Sequence, residues 1–313
     1  MTTTNESEMM YILIKNHILN EETNSGFKIT NFNIAGVLKE DNDYELLKKF
    51  LNQHKRSNFI AMQEFRKDAS PRVYEIFDEY GFGFLVNTNT RKKDIKLGST
   101  LTAVSKNIID KVDRADLFYI TSETPQNEPA LKNIDLLVYD FDGSEENYIH
   151  LLNVYIPNNP GERTGGPRET LRWIGDQIGM FPHNTKKHKT LVCGDFNVPM
   201  YEGDADDDWF TGDDQRKYKQ KFANNMIKFL RHTCLEDHGV ILRERTTFGG
   251  HKENTARIDY CVSNMVGFTA VDQNNYGSQH KALVTHISDI TNHAEEINER
   301  NEKCLQSESI QVK

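Results

Sequence analysis

Several apolar runs in this chain end in a residue that could do chemistry. TNFN closes at Asn33, AMQE at Glu64, VCGDFN at Asp195 and Asn197, and ARID at Asp259, while LLNVYIPN sets Tyr155 and Asn158 after a further apolar run. Taken singly, Asn and Asp at such places are as well explained by their preference for turns. Taken together, they crowd amides, a phenol and carboxylates onto what would be neighbouring strand ends, and Glu64 and Asp195 follow runs so apolar that an unpartnered carboxylate would be costly. Attack on phosphorus gathers negative charge on the non-bridging oxygens. A site for it needs a cation and neutral or positive donors, without so many carboxylates that the substrate is repelled. A Glu holding Mg²⁺ with water, Asn and Tyr donors, a further carboxylate for the attacking water, and a His steadied by another carboxylate meet that need. The set points to metal-assisted phosphodiester hydrolysis. Later in the chain, GSQHKALVTHI offers His280 just before an apolar run, but it is one of eleven histidines and on its own reads as readily as a solvated turn residue.

Such a site needs many strands ending side by side. Short β-branched or aromatic runs recur at FKITNFN, NFIAMQE, FGFLVN, STLTAVS, IDLLVYDF, YIHLLNVYI, KTLVCGDFN, RIDYCVS and ALVTHIS, which predicts about nine or ten strands. Amphipathic helical spacing appears at DYELLKKFLNQH, SPRVYEIFDEY, GPRETLRWIGDQI and KYKQKFANNMIKFLRH, the third with Pro167 at a first-turn position. Helices are interspersed among strands without strict alternation. That pattern predicts an α+β fold of two packed, mostly antiparallel sheets flanked by helices rather than a doubly wound parallel sheet. Residues 1–26 and 289–313 are polar and read as tails around a single domain over 27–288. The stretch DADDDWFTGDDQ places Asp at alternate positions, but Trp209 stands where a calcium loop needs Gly and Gln215 where it needs Glu. It reads as a solvated acidic connection.

Composition narrows the partners. With 38 basic and 47 acidic residues the formal charge is −9, which argues against a broad basic surface and leaves any polyanion to be met locally, through a metal. The cysteines, Cys193, Cys234, Cys261 and Cys304, form no C-x-x-C pair and no zinc set. They fit a reduced intracellular compartment, nucleus or cytoplasm. The start, MTTTNESEMMYILIKNHILNEE, lacks a basic n-region and breaks its apolar run at Lys15 and Asn16, so neither a signal peptide nor a membrane span is expected.

In order along the chain these motifs resemble the endonuclease/exonuclease/phosphatase superfamily, over roughly residues 27–288. The resemblance implies a four-layer α/β sandwich with the site at the ends of two central sheets. NFNIAG is similar to the first motif and implies Asn33 as a phosphate- or metal-shell amide. MQE is similar to the Gln-Glu motif and implies Glu64 as the metal carboxylate. NVYIPN implies Tyr155 and Asn158 as contacts to the scissile phosphate, and GDFNVP implies Asp195 as the group that activates water, with Asn197 a transition-state donor. RIDYCVS and GSQH then imply Asp259 holding His280. The implied cofactor is Mg²⁺, for which Mn²⁺ could stand in, and the implied partner is DNA or RNA, met by a monomer.

Within the superfamily, GDFNVP and ARIDY differ from the inositol-polyphosphate phosphatases, and Tyr155 stands where pancreatic-type DNases carry His. The Tyr-Ile-Pro-Asn form looks like the abasic-site endonucleases and the endonuclease domains of LINE-type retrotransposons. The leading expectation is a DNA endonuclease that leaves 3′-hydroxyl ends. A ribonuclease or deadenylase of the same fold, and a non-catalytic nucleic-acid or protein-binding relative, stay open. Two departures bear on the last of these: Ala35 stands where many abasic-site enzymes have a second polar group, and Gln279 replaces the Asp of the usual Ser-Asp-His.

Overall fold

Strands that are apolar at nearly every position require cover on both faces, and this chain supplies it with four layers. The structure, a computed structural model, describes residues 27–34, 43–65, 71–86, 99–109, 117–120, 134–140, 148–156, 171, 175, 188–197, 199–200, 204, 213–233, 235–239, 247–249, 255–274 and 276–287. In chain order the elements are β1 (Phe27–Asn33), α1 (Asp43–His54), β2 (Phe59–Phe65), α2 (Pro71–Glu79), β3 (Phe82–Val86), β4 (Ser99–Ser105) and α3 (Lys106–Ile109). Then come β5 (Leu117–Ile120), β6 (Ile134–Asp140), β7 (Tyr148–Tyr155), β8 (His188–Asp195) and α4 (Asp213–Thr233). The last are β9 (Glu236–Asp237), β10 (Phe248–Gly249), β11 (Thr255–Ala256), β12 (Asp259–Ser263), β13 (Gly267–Val271) and β14 (Leu283–Ile287).

Two six-stranded sheets result, ordered β13-β14-β1-β2-β4-β3 and β5-β6-β7-β8-β12-β9, with β10 and β11 paired apart. Within each sheet the pairing is antiparallel except at one place, β1 with β2 and β7 with β8. The alternation of side chains along each strand divides the apolar residues between cores. Phe27, Ile29, Phe59, Ala61 and Val104 of the first sheet meet Leu151, Leu191, Cys193 and Cys261 of the second in a core between the sheets. Phe32, Ile60 and Met62 point the other way, onto Leu47, Phe50 and Leu51 of α1 and Val73, Ile76 and Phe77 of α2. On the far side, Leu152, Val154, Val192 and Val262 pack on Met226, Phe229 and Leu230 of α4. The expected α+β sandwich is the observed fold.

Three of the four expected helices are α1, α2 and α4; of GPRETLRWIGDQI only Leu171 and Gly175 are among the described residues. Every expected strand is present. The pattern missed the four-residue β5, β13, whose GFTAV opens on Gly and is broken by Thr269, and the two-residue β9, β10 and β11. Polar atoms in the inter-sheet core lie just beneath the site: Gln63 Nε2 donates to Asn31 Oδ1 and to Asn153 Oδ1, each at 2.7 Å, and Asn153 Nδ2 reaches the Leu101 carbonyl at 3.0 Å. These bonds fix the spacing of the two sheets.

Candidate active site

Strand register brings the sequence-expected residues to one edge of the sandwich. In the second sheet Tyr155 and Asp259 both pair with Asp195, from β7 and β12 on either side of β8. In the first sheet Asn33 pairs with Gln63, next to Glu64, and Asn31 pairs with Leu283, shortly after His280. Facing sheets put the two rows against each other. Asn33 Nδ2 crosses between them, donating to Asp195 Oδ2 at 2.8 Å and to Glu64 Oε1 at 3.1 Å. Asn158 and Ala35 lie outside the described residues.

Close packing and local backbone aim these groups. An added Cβ on Gly194 would lie 1.9 Å from the Val154 carbonyl oxygen, so only glycine lets β8 approach β7 here. Glu64 has φ 53° and sits where the β2–β4 register shifts between Met62 and Phe65. This bulge turns its carboxylate toward Asn33 instead of into the sheet. Asn197 has φ 54°, a conformation Asn tolerates better than most residues. Its backbone N–H donates to Asp195 Oδ1 at 2.7 Å, and its side-chain amide donates to the Ile156 carbonyl at 2.8 Å.

His280 is buried and oriented from several sides. Its Nδ1–H donates to Asp259 Oδ2 at 2.9 Å, leaving Nε2 directed at Asp195 Oδ2, 4.0 Å away. Ser278 Oγ accepts from the His280 N–H at 3.0 Å and donates to the Asn33 carbonyl at 2.7 Å, tying the histidine to β1. The Phe248 ring stands 4.9 Å from the imidazole. Thr247 Oγ1 accepts the Asp259 N–H at 3.1 Å. Sequence reading missed Ser278, Thr247 and Phe248, since none follows an apolar run; the Ser within GSQH was the available signal. Gln279 is exposed at the rim.

The same region corrects the reading of the acidic stretch at its first residue. Asp204 is buried, accepts from the Tyr260 hydroxyl at 3.0 Å and faces Arg257, which also binds Asp237. A buried guanidinium needs such carboxylates, and Tyr260 OH further accepts the Met200 N–H at 2.7 Å. Arg257 and Tyr260 thereby tie Met200 and Asp204 to β12.

Electrostatics divide the roles. Burial, then the charge of Asp259, raises Asp195 above the carboxylate range, opposed by His280, the Asn197 N–H and Asn33. Burial alone would lower His280, but Asp259 and then Asp195 raise it to about 9, so it is an imidazolium at neutral pH. Burial, with Glu64 and Asp195, keeps the Tyr155 phenol protonated, and it hydrogen-bonds Glu64 and Asn197. The crevice thus holds three carboxylates, Glu64, Asp195 and Asp259, against one imidazolium, and Asp259 Oδ1 is buried without a hydrogen-bond partner. That surplus of negative charge and hard oxygen atoms fits a divalent cation. Among the described residues, Asp195 and Asp259 lie within 4.8 Å of His280 and of each other, and with the imidazole protonated it is their oxygens, not the ring, that could ligate a metal.

Comparison with known proteins bears on the fold and the family. No curated protein matches the chain by sequence. Solved structures do match in fold. The AP endonuclease LMAP from Leishmania major has a TM-score of 0.61 at 15% identity, covering 84% of this chain and 88% of its own. Truncated Caenorhabditis elegans TDP2 has a TM-score of 0.56 at 12% identity, covering 86% of this chain and 100% of its own. The selenomethionine form of TDP2 from Caenorhabditis elegans has a TM-score of 0.55 at 12% identity, covering 90% of this chain and 81% of its own. The family model described as Endonuclease/Exonuclease/phosphatase family matches residues 30–280, a span that opens within β1 and closes on His280. The chain belongs to that family.

Proposed function

We propose that this protein is a Mg²⁺-dependent DNA endonuclease that hydrolyses a phosphodiester and leaves 3′-hydroxyl ends, acting as a monomer in the nucleus or cytoplasm. The observation that carries the reading is the convergence of Asn33, Glu64, Tyr155, Asp195, Asn197, Asp259 and His280 on one crevice, with Asn33 bridging the carboxylates of both sheets. Glu64, assisted by Asn33, would hold the cation, which supplies Lewis-acid stabilisation of charge on the phosphate oxygens. Asp195 is the base assigned to the attacking water, its carboxylate aimed by Asn33 and Asn197. His280, held by Asp259, and the protonated Tyr155 are the donors assigned to the phosphate oxygens, to which they would turn from Asp195 and Glu64. Asn158, outside the described residues, is assigned to the phosphate by the NVYIPN motif. The endonuclease named in the LMAP structure supports the choice within the family.

The test is nicking of supercoiled plasmid by pure protein. Nicks should form with Mg²⁺ or Mn²⁺, stop with excess chelator, and be extended directly by a DNA polymerase, as 3′-hydroxyl ends are. Nicking that persists in chelator would remove the metal from the mechanism, and ends that resist extension would refute the product assignment.

A further inference from the structure

The segment between β13 and β14 carries Ser278 and His280, yet it lies largely in solvent. Gln273, Asn274, Gly277 and Gln279 are exposed, and among its described residues Asp272, Tyr276 and His280 are the ones buried. Such a segment does not hold an imidazole in one place by packing alone. Asp272 and Tyr276 supply a second anchor, on α1. Tyr276 OH donates to Asp272 Oδ2 at 2.6 Å, and His54 Nε2, on the last turn of α1, lies 3.0 Å from the same oxygen. Asp272 Oδ1 accepts the Asn274 N–H at 3.0 Å, and the Asp272 N–H donates to the Ala282 carbonyl at 2.8 Å, closing the base of the loop. The Tyr276 ring meets Phe50 edge-on at 5.2 Å and Phe32 at 5.8 Å, the second being the residue before Asn33.

We infer that His54, Asp272 and Tyr276 are positioning residues that seat His280 against Asp195 by fixing the loop to α1 and β1. His54 carries its proton on Nε2 toward the carboxylate and leaves Nδ1 buried without a hydrogen-bond partner, an arrangement that suits a neutral imidazole better than a charged one. The node touches neither the cation site nor the space for the phosphate. Its effect on chemistry is through the place of His280, and displacement of a catalytic group by about 1 Å can cost roughly 10²-fold in rate. The kinetic part of this inference rests on the proposed hydrolase reading; the placement of His280 does not.

The experiment uses the full chain labelled with ¹⁵N in histidine, with the His280 side-chain resonances identified by their loss in His280→Gln. Tyr276→Phe keeps the ring packing and removes one hydroxyl, and Asp272→Asn keeps the shape and removes the charge. In both, the His280 resonances should shift or split, and kcat for plasmid nicking should fall by roughly 10-fold with KM changed less than about 2-fold. Resonances that coincide with the parent's, or an unchanged kcat, would overturn the inference even if the melting temperature drops, because the node would then serve stability alone. If Asp272→Asn does not fold, Tyr276→Phe decides. If the folded parent cleaves nothing, the hydrolase reading fails and the resonances still decide the clamp.

Discussion

Three kinds of neighbour shape Asp195 at once: Asn33 and Asn197 donate to it, Asp259 repels it, and His280 faces it. Asp195→Asn should lower the nicking rate by roughly 10²–10⁴-fold while the melting curve stays within a few degrees, since the amide fits the same space. An equal rate with an unchanged curve would show that another group activates the water. At the rim, Gln279→Asp should lower the Mg²⁺ needed for half-maximal nicking by about threefold, a modest part of the 10–100-fold typical of groups that steady a metal, because the position is exposed. A Mg²⁺ titration of both forms checks this. Glu64 and Asp195 were legible in the sequence because a carboxylate after a buried run demands a reason. The seat of His280 was not: Ser278 and Thr247 reach it from loop positions and Phe248 from the two-residue β10, none of which leaves a periodic trace.

The elements were legible where both faces are buried, since continuous apolar runs such as those of β2 and β8 have few other uses. What the pattern could not show is the register, which alone places Tyr155, Asp195 and Asp259 in one row. Gly194 maintains that row. Gly194→Ala should cost about 3 kcal/mol or more, as the new Cβ has nowhere to go between β8 and the Val154 carbonyl, and denaturant unfolding would measure it. A second element-scale prediction concerns acid. His238 follows β9, buried against Ser263 Oγ at 2.6 Å, and burial lowers its pKa from 6.5 to about 4. The unfolded chain therefore binds a proton in this window that the folded chain refuses. Stability from this group is full above pH 6.5, falls as pH drops toward 4, and the loss totals about 3 kcal/mol. His238→Gln should flatten that part of the profile relative to the parent. The depression of Asp272 to about 2, where burial is outweighed by bonds from His54, Tyr276 and the Asn274 N–H, acts separately. Its contribution is present above about pH 3.8 and is lost only below that.

At the scale of the whole molecule, a chain with a formal charge of −9 must meet a polyanion through a local site, and the crevice between the two sheets is where a cation would change the sign of the field. Among the described residues no helix is long and apolar enough to cross a membrane. The described elements begin at Phe27 and end at Ile287, and the family match lies within that span. We expect a chain trimmed to residues 27–288 to retain its melting temperature and its nicking activity; loss of either would mean that the terminal segments contribute to fold or site. If the crevice around Asp195 carries out metal-dependent phosphodiester hydrolysis, as proposed, both the metal and Asp195 must be needed for nicking. Single-turnover nicking of plasmid by the parent and by Asp195→Asn, each with Mg²⁺ and with excess chelator, tests it most directly. Fast nicking is expected from the parent with Mg²⁺ alone, and a rate lower by at least about 10²-fold in the other three conditions. Equal nicking by parent and variant, or by the parent with and without metal, would contradict it.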